Sequence, residues 1–197
     1  AVNKMLGQIP DDLDSATIGM GLSIQDPEAL KLLVKSLLDR DVRISLDATA
    51  LVNYILPLLS GKNTVVTPHA GEFKKMFGEV PPESKKARID MVEKFAKKYS
   101  ITILLKGPTD IISDGEKTYL NPTNTPGMTV GGTGDILSGI IAGMLARNRN
   151  ALESAVISAY FNGLAGKSTQ KKLGPHMTAT DLLDALPSVM KSFDKIK

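Results

Sequence analysis

The sequence predicts an α/β fold: a three-layer α/β/α arrangement with a mostly parallel central sheet and helices on both faces. Two observations predict it. Short apolar runs alternate with helical patterns along most of the chain, and strands separated by helices pair in parallel through right-handed crossovers. The length of 197 residues is that of one domain. We therefore expect residues 1–197 to form a single domain of this class.

Three predicted strands in the first half of the chain each lead through a loop into a helix: residues 15–19, 42–46 and 64–67. The helix after the first strand has the clearest signals, because Asp26 and Pro27 supply an N-cap and a first-turn proline before apolar residues at helical spacing. A short apolar helix over 50–59, interrupted at Pro57, is predicted after the second strand. A helix beginning near Gly71 is predicted after the third.

The second half of the chain breaks this alternation once. An amphipathic helix is predicted over 84–99, and three strands then follow without a helix between them, over 101–106, 110–113 and 117–120. Asp114 and Gly115 predict a hairpin turn between the last two. The remainder is predicted to be helical, over 135–147, 152–168 and 180–191.

The composition excludes several classes of protein. Hydrophobic residues make up 42% of the chain and charged residues 23%, which is typical of a globular domain with a sizeable core. The 24 basic and 21 acidic residues are spread along the chain, so no basic patch indicates a nucleic-acid partner. The chain has no cysteine, no apolar run of membrane-spanning length and no secretion signal. We expect a soluble cytoplasmic protein without a membrane partner.

The most informative stretch is rich in glycine. Gly127, Gly131, Gly132 and Gly134 fall within eight residues, and glycines allow positive φ and let backbone N–H groups converge on a phosphate. The apolar helix that follows directs the positive end of its dipole at the same loop. The stretch therefore predicts a phosphate site.

Asp135 is in the first turn of that helix and has two interpretations. As a structural residue it complements the helix dipole, which is worth about 0.3–1 kcal/mol. As a functional residue it is a general base that takes the proton from a substrate hydroxyl while that oxygen attacks a phosphoryl group. Spacing alone leaves both interpretations open.

Ligands of parallel α/β sheets bind at the carboxyl ends of the strands. The segments just past the predicted strands are therefore expected to form one rim: residues 19–21, 47, 68–72, 106–110 and 121–135. His69 in this rim either caps a helix or contacts a ligand, and Lys106 is either an exposed strand-end charge or part of a ligand loop. Asp47 is expected to orient a neighbouring loop.

Residues 131–135, followed by an apolar helix, resemble the anion-hole and base motif of the ribokinase-like superfamily of small-molecule kinases. Further segments resemble the nucleotide-dependent NAD(P)H-hydrate dehydratases within it: TPHAGE at 67–72, LKGPTD at 105–110 and the whole of 121–135. IGMGL at 18–22 and LDA at 46–48 match that family's strand-end motifs in the same order. The resemblance extends over residues 18–186.

The resemblance implies a repair reaction in which water is removed from the hydrated nicotinamide ring of NADHX or NADPHX, with ADP or ATP consumed and Mg²⁺ present. It implies that Asp135 activates the ring hydroxyl, which takes the terminal phosphoryl group, and that elimination of phosphate restores the ring. Gly132 and Gly134 would hold the transferring group. Gly21 and His69, together with Asp135, would contact the substrate.

The resemblance also implies a nucleotide site, formed by Lys106, Gly107, Pro108, Thr109, Asp110, Asn124, Gly131, Thr133 and Gly134. No residue is assigned as a direct metal ligand, although Glu72 could act on Mg²⁺ through water. The family tends to self-associate, so a homo-oligomer is expected. The preference between ADP and ATP stays open, because both present the same phosphate chain to backbone donors.

Two alternative functions stay open at this point. A kinase of the same superfamily, acting on a vitamin precursor, would use the same loop and the same base. A non-catalytic nucleotide-binding module is the other alternative, because the family's opening strand-helix-strand segment is not visible ahead of Ser15.

Overall fold

The computed structural model describes residues 6–24, 26–148 and 150–194. Its centre is a six-stranded sheet in the order β1-β2-β3-β4-β5-β6. The strands are β1 (Ser15–Ile18), β2 (Arg43–Leu46), β3 (Thr64–Val66), β4 (Thr102–Leu105), β5 (Asp110–Ser113) and β6 (Thr118–Asn121). Strands β1 to β4 are parallel, whereas β5 and β6 add an antiparallel edge. The predicted, mostly parallel sheet is confirmed. Its antiparallel part is formed by the last two of the three strands that were predicted to follow one another without a helix between them.

The α-helices in the described part of the chain are α1 (Pro27–Asp39), α2 (Leu56–Leu59), α3 (Ala70–Phe77), α4 (Lys85–Tyr99), α5 (Thr133–Asn148), α6 (Ala151–Leu173) and α7 (Ala179–Lys191). The predicted N-cap of α1 is confirmed, since the Asp26 carboxylate accepts the Glu28 N–H at 2.9 Å. Helix α6 runs beyond the predicted residue 168 because its last turns are rich in Lys and Gln, which favour helix without an apolar pattern.

Successive strand residues point to opposite faces of the sheet, and both faces are covered. Val66 and Ile103 belong to a core cluster that packs against α1, α3 and α4. Val65 and Leu104 belong to a second cluster that packs against α5 and α6. Helices on both faces of the sheet are therefore confirmed.

The predicted helix over 50–59 is wrong in its first half. Residues Ala48–Ala50 and Asn53–Ile55 form separate 3₁₀ turns, and only Leu56–Leu59 is α-helical. Pro57 has no N–H with which to bond the carbonyl four residues earlier, and its ring would clash with that carbonyl. Pro57 therefore disfavours a helix that continues through it from the N-terminal side and suits the first turn of α2, where it lies.

The parallel strands end at a common edge of the sheet. The loop after β1, Asp47 after β2, residues 67–69 after β3 and Lys106 after β4 meet there. The start of α5 reaches the same edge, since the Gly134 backbone lies beside the Asp47 and Lys106 side chains. This edge is the predicted rim. None of the described helices combines the length and the apolar character that a membrane span requires.

Candidate nucleotide and substrate site

A cavity of about 520 Å³ opens at this edge of the sheet. Eight of the predicted site residues line it: His69, Lys106, Gly107, Pro108, Asp110, Asn124, Thr133 and Gly134. The fold thus brings together the loop after β3, the loop after β4 and the start of α5, as expected from parallel strands. The rest of the lining comes from Thr125, Pro126, residues 128–130, Leu137 and Asn162.

Other predicted site residues are not part of this lining: Gly21, Glu72, Thr109, Gly131, Gly132 and Asp135. Asp135 is exposed in the first turn of α5, next to the cavity residue Gly134. No described residue hydrogen-bonds its carboxylate, which is consequently available to a ligand. Gly21 lies in the loop after β1, which the Thr49 hydroxyl holds by donating to the carbonyls of Gly19 and Leu22 at 2.6 and 2.9 Å.

The glycine-rich stretch uses its glycines for different reasons. Of the four glycines in this stretch, only Gly132 has a positive φ, 95°. The expectation that glycine is needed here for positive φ is therefore met at Gly132 alone. A Cβ on Gly127 would lie 2.7 Å from the sulfur of Met177, so packing requires that glycine. The Thr133 hydroxyl donates to the carbonyls of Met128 and Val130 at 2.8 and 3.1 Å, which fixes the loop. The first N–H groups of α5 have no helical partners and can bind an anion.

Beneath the start of α5 lies an ion pair between the buried Asp47 and the partly exposed Lys106. One oxygen of the Asp47 carboxylate accepts from the Lys106 ammonium at 2.7 Å and from the Ala48 N–H at 2.8 Å. Its other oxygen accepts from the Ser138 hydroxyl at 3.0 Å. A Cβ on Gly134 would lie 3.4 Å from the Asp47 carboxylate and 3.5 Å from the Lys106 Nζ. Asp47 therefore fixes the Lys106 ammonium beside the predicted phosphate site.

His69 caps α3 and also lines the cavity. Its Nδ1 accepts the N–H groups of Gly71 and Glu72 at 3.0 and 3.3 Å, while a Glu72 carboxylate oxygen accepts the His69 N–H at 2.8 Å. Since Nδ1 accepts, a neutral His69 carries its proton on Nε2. The same Glu72 oxygen lies 3.6 Å from the Lys106 Nζ. The helix-capping interpretation is thus correct. The Nε2 atom lies 3.6 Å from the other Glu72 carboxylate oxygen, and the ring is 60% exposed.

Asp110 shapes the loop after β4. Its carboxylate accepts from the Gly107 N–H at 3.1 Å and from the Asn121 side-chain amide at 3.0 Å. The Asn124 side-chain amide closes the same loop by donating to the Gly107 carbonyl at 2.8 Å. Burial raises the pKa of Asp110, while the bond from Asn121, among others, opposes the rise. Because protein groups occupy both carboxylate oxygens, the loop itself is held rigidly around the cavity.

Sequence reasoning missed Asn162, and it placed Thr125 in the predicted rim without assigning it a role; both line the cavity. The Thr125 hydroxyl oxygen and the Asn162 Oδ1 are buried and have no hydrogen-bond partner among the described residues. Asn162 lies in the middle of α6, among residues whose spacing indicates only a buried helix face. Only the packing of α6 against the glycine-rich stretch brings it to the site.

The chain matches the family described as NAD(P)H-hydrate dehydratase over residues 3–188. It is 65% identical over 196 residues to the ADP-dependent (S)-NAD(P)H-hydrate dehydratase of Nitrosopumilus maritimus (strain SCM1), covering 100% of this chain and 68% of that protein. It is 62% identical over 197 residues to the enzyme of the same name from Cenarchaeum symbiosum (strain A), covering 100% of this chain and 69% of that protein.

A solved structure gives the same result. The ADP/ATP-dependent NAD(P)H-hydrate dehydratase from Bacillus subtilis, co-crystallised with ATP/Mg²⁺, superposes with a TM-score of 0.83 at 28% identity, covering 98% of this chain and 70% of that chain. The family match covers nearly the whole sequence, including every segment that forms the cavity. This chain belongs to the NAD(P)H-hydrate dehydratase family.

Proposed function

We propose that this chain repairs damaged nicotinamide nucleotides: it uses ADP or ATP to dehydrate (S)-NAD(P)H-hydrate to NAD(P)H, with release of phosphate and AMP or ADP. One observation carries the proposal. The Lys106 ammonium and the start of α5 converge on one cavity, and the unpartnered Asp135 carboxylate lies beside it. A phosphate site next to a free base is the arrangement that phosphoryl transfer to a hydroxyl requires.

In this proposal the nucleotide phosphates lie at the start of α5. Backbone N–H groups of residues 131–134 bind the terminal phosphoryl group, aided by the positive end of the helix dipole. The Lys106 ammonium neutralises part of the phosphate charge, and Asp47 limits its movement through their 2.7 Å contact. The loop at 107–110, held by Asp110 and Asn124, forms the wall along the rest of the nucleotide.

The hydrated nicotinamide ring would lie on the Asp135 side of the phosphates. Asp135 accepts the proton of the ring hydroxyl, whose oxygen bonds to the terminal phosphorus as the bond to the bridging oxygen breaks and AMP or ADP leaves. The phosphorylated ring then expels phosphate and loses a proton from the neighbouring carbon, which restores the double bond. His69 and Gly21 are proposed to contact this substrate, His69 through its Nε2–H.

Mg²⁺ would accompany the nucleotide. The described residues contain no group of three or more His, Cys, Asp or Glu side chains able to hold a metal ion. A Mg²⁺ ion held mainly by nucleotide phosphates and water would not need such a group. Glu72, whose carboxylate lies 3.6 Å from the Lys106 Nζ, is the residue proposed to meet such an ion through water. The ion would offset phosphate charge during transfer.

The test is recovery of reduced-nicotinamide absorbance from prepared NADHX with Mg²⁺ and either ADP or ATP. The native chain is compared with Asp135→Asn, which keeps the shape of the side chain and removes the base. We expect recovery that requires nucleotide and falls by roughly 10²–10⁴-fold in the variant. Product analysis separates the kinase alternative, because a kinase leaves phosphate on the product whereas a dehydratase releases it. Nucleotide binding without any turnover would favour the non-catalytic module.

We also propose that the chain works as a homo-oligomer in the cytoplasm. Ile157 and Tyr160 are exposed on the outer side of α6, and the exposed ring of Phe193 lies 6.1 Å from that of Tyr160. Exposed aromatic and aliphatic side chains in one place are typical of a contact between protein copies. Sedimentation of the native chain and of Tyr160→Arg would test this, since the variant should shift towards the monomer.

A further inference from the structure

A single side chain, Thr49, holds both ends of the turn that follows β1, residues 19–22. The Thr49 hydroxyl is shared between the carbonyls of Gly19 and Leu22, at 2.6 and 2.9 Å. The Leu22 N–H closes the turn by donating to the same Gly19 carbonyl at 3.3 Å. Thr49 is exposed and comes from the segment after β2. A residue from a distant part of the chain therefore fixes the two ends of this turn.

The N–H groups at the tip of the turn are free. Neither the Met20 N–H nor the Gly21 N–H has a hydrogen-bond partner among the described residues. A planar trans peptide directs its C=O and its N–H in opposite directions. Because Thr49 holds the Gly19 carbonyl, the Met20 N–H of the same peptide faces away from Thr49. Gly21 is exposed and has a φ of 64°, a conformation that glycine adopts without steric cost.

The turn lies at the same end of the sheet as the start of α5. The Ser15 hydroxyl, at the beginning of β1, donates to the Ala142 carbonyl of α5 at 2.7 Å. The Ser138 hydroxyl, one turn earlier in α5, donates to Asp47 just past the end of β2 at 3.0 Å. Helix α5 therefore runs antiparallel to these two strands. Its first turn, which carries Asp135, lies at the edge where the turn 19–22 begins.

The segment 47–49 connects this turn with the proposed phosphate site. Asp47 binds the Lys106 ammonium, and Thr49 binds the turn. Between them Ala48 has a φ of 49°, which is uncommon for a residue other than glycine. The turn also packs directly on this segment, because a Cβ on Gly19 would lie 1.8 Å from the Asp47 carbonyl oxygen. The same short segment thus fixes groups on both sides of the start of α5.

We propose that Thr49 is a positioning residue for the substrate. By holding the ends of the turn 19–22, it directs the free N–H groups of Met20 and Gly21 at an acceptor oxygen of the hydrated nicotinamide nucleotide. This inference rests on the proposed function, which places that substrate on the Asp135 side of the phosphates. Thr49 does not touch the substrate itself. Without its hydroxyl the peptides of this glycine-containing turn can adopt other orientations, and ordering them on binding weakens substrate affinity.

The experiment measures steady-state dehydration of NADHX at saturating ADP and Mg²⁺ in the native chain, Thr49→Val and Thr49→Ser. Valine keeps the shape of threonine and removes the hydroxyl, whereas serine keeps the hydroxyl. In Thr49→Val we expect KM for NADHX to rise roughly tenfold while kcat changes by less than about twofold, because ground-state binding is what is lost. Thr49→Ser should restore KM to within about twofold of the native value. Calorimetric titration should give an unchanged affinity for ADP in both variants.

Thr169→Val is the matched control. Its hydroxyl also donates to a backbone carbonyl of another element, that of Asp181 at 3.3 Å, between α6 and α7. This variant should leave KM for NADHX unchanged. Thr49→Ala excludes an effect of the added methyl group of valine and should raise KM as Thr49→Val does. If Thr49→Val and Thr49→Ala both lose ADP binding, the hydroxyl serves the fold as a whole and the inference is overturned.

The outcomes separate this inference from the proposed function. Native turnover of NADHX with an unchanged KM in Thr49→Val overturns the inference alone. A fall in kcat at unchanged KM, or a Thr49→Ser variant that behaves like Thr49→Val, also overturns it, because neither is expected of a hydroxyl that orders a binding turn. No turnover of NADHX by a native chain that binds ADP contradicts the proposed function and this inference together.

Discussion

Lys106 and Asp47 are 59 residues apart in sequence, and their side chains meet at 2.7 Å directly beneath Gly134. The Asp47 side chain is 3% exposed and that of Lys106 is 22% exposed. The pair joins the end of β2, the end of β4 and the start of α5. It keeps a positive charge beside the helix terminus where the phosphate is proposed to bind.

Asp47→Ala tests how much this ion pair contributes to the stability of the fold. The variant removes the acceptor of the partly exposed Lys106 ammonium and of the buried Ser138 hydroxyl, and leaving a buried donor unpaired typically costs about 1–3 kcal/mol of unfolding free energy. We expect a loss of that size in urea denaturation. Asp90→Ala breaks the exposed pair with Lys86 and should change stability by less than about 1 kcal/mol. Similar effects of the two variants would contradict a special role for Asp47.

Gly134→Ala separates stability from nucleotide binding. The new methyl group would lie in ordinary contact with Asp47 and Lys106, at 3.4 and 3.5 Å, and it enters the first turn of α5, so folding should be nearly unaffected. It narrows the phosphate site, and we expect ADP affinity to fall by about tenfold or more. The measurements are thermal unfolding and calorimetric titration with ADP.

Gly132→Ala is the comparison variant for Gly134→Ala. Gly132 has φ of 95°, and its Cβ would lie 2.9 Å from that of Ala179. A positive φ at a non-glycine residue costs of order 1–3 kcal/mol. This variant should therefore lose stability as well as nucleotide affinity. A stable Gly132→Ala with weakened binding would contradict the assignment of Gly132 to backbone conformation.

Gly163→Ala tests the close packing of α6 on the cavity wall. Its Cβ would lie 1.7 Å from the Thr123 Oγ1, so the wall has to move, and overpacking of this kind usually costs about 1–3 kcal/mol. Gly139→Ala in α5 is the matched control, since nothing lies within 4 Å of its Cβ. A helix-interior Gly→Ala change at an open position should stabilise by roughly 0.5–1 kcal/mol. Chemical denaturation gives the free energy of unfolding of both variants. A Gly163→Ala variant as stable as the native chain would contradict the close packing of α6 on the cavity wall.

Asp110 gives the protein a defined pH dependence. Burial raises the pKa of Asp110 above its ordinary value of 3.8, so the folded state binds the proton more tightly than the unfolded state. Its contribution to stability is then complete below that value and is lost as the pH rises through the raised pKa. We expect the advantage of the native chain over Asp110→Asn in unfolding free energy to shrink as the pH increases from about 3 to about 7.

Asp181 should behave in the opposite way and is the control for that measurement. Hydrogen bonds from the Thr178 hydroxyl and N–H lower the pKa of Asp181, so its contribution is present above the ordinary value of 3.8 and is lost as the pH falls. The advantage of the native chain over Asp181→Asn should therefore grow with pH. A parallel response of the two variants would refute the role assigned to burial at Asp110.

Much of the architecture was predictable because it depends on local signals. The N-cap at Asp26, the apolar spacing of α1 and the strand-helix alternation indicate a parallel sheet before any coordinates are known. The helix over 50–59, with its interruption at Pro57, was predicted incorrectly ahead of the proline, because an apolar run alone does not distinguish an α-helix from the two 3₁₀ turns found there.

The sequence by itself determined the fold class, the family resemblance and the candidate groups at the strand ends, since these follow from residue type, spacing and order. The tertiary structure alone decided how those groups are partnered. In the folded chain Lys106 pairs with Asp47, the His69 Nδ1 caps a helix, and the Asp110 carboxylate accepts a hydrogen bond from its own loop. It also placed the unpartnered Asn162 in the cavity wall. The Lys106–Asp47 pair joins residues 59 positions apart, and the place of Asn162 depends on how α6 packs on the sheet, which local patterns do not encode. The bonds of His69 and Asp110 are local in sequence, but residue type and spacing fit a ligand contact equally well.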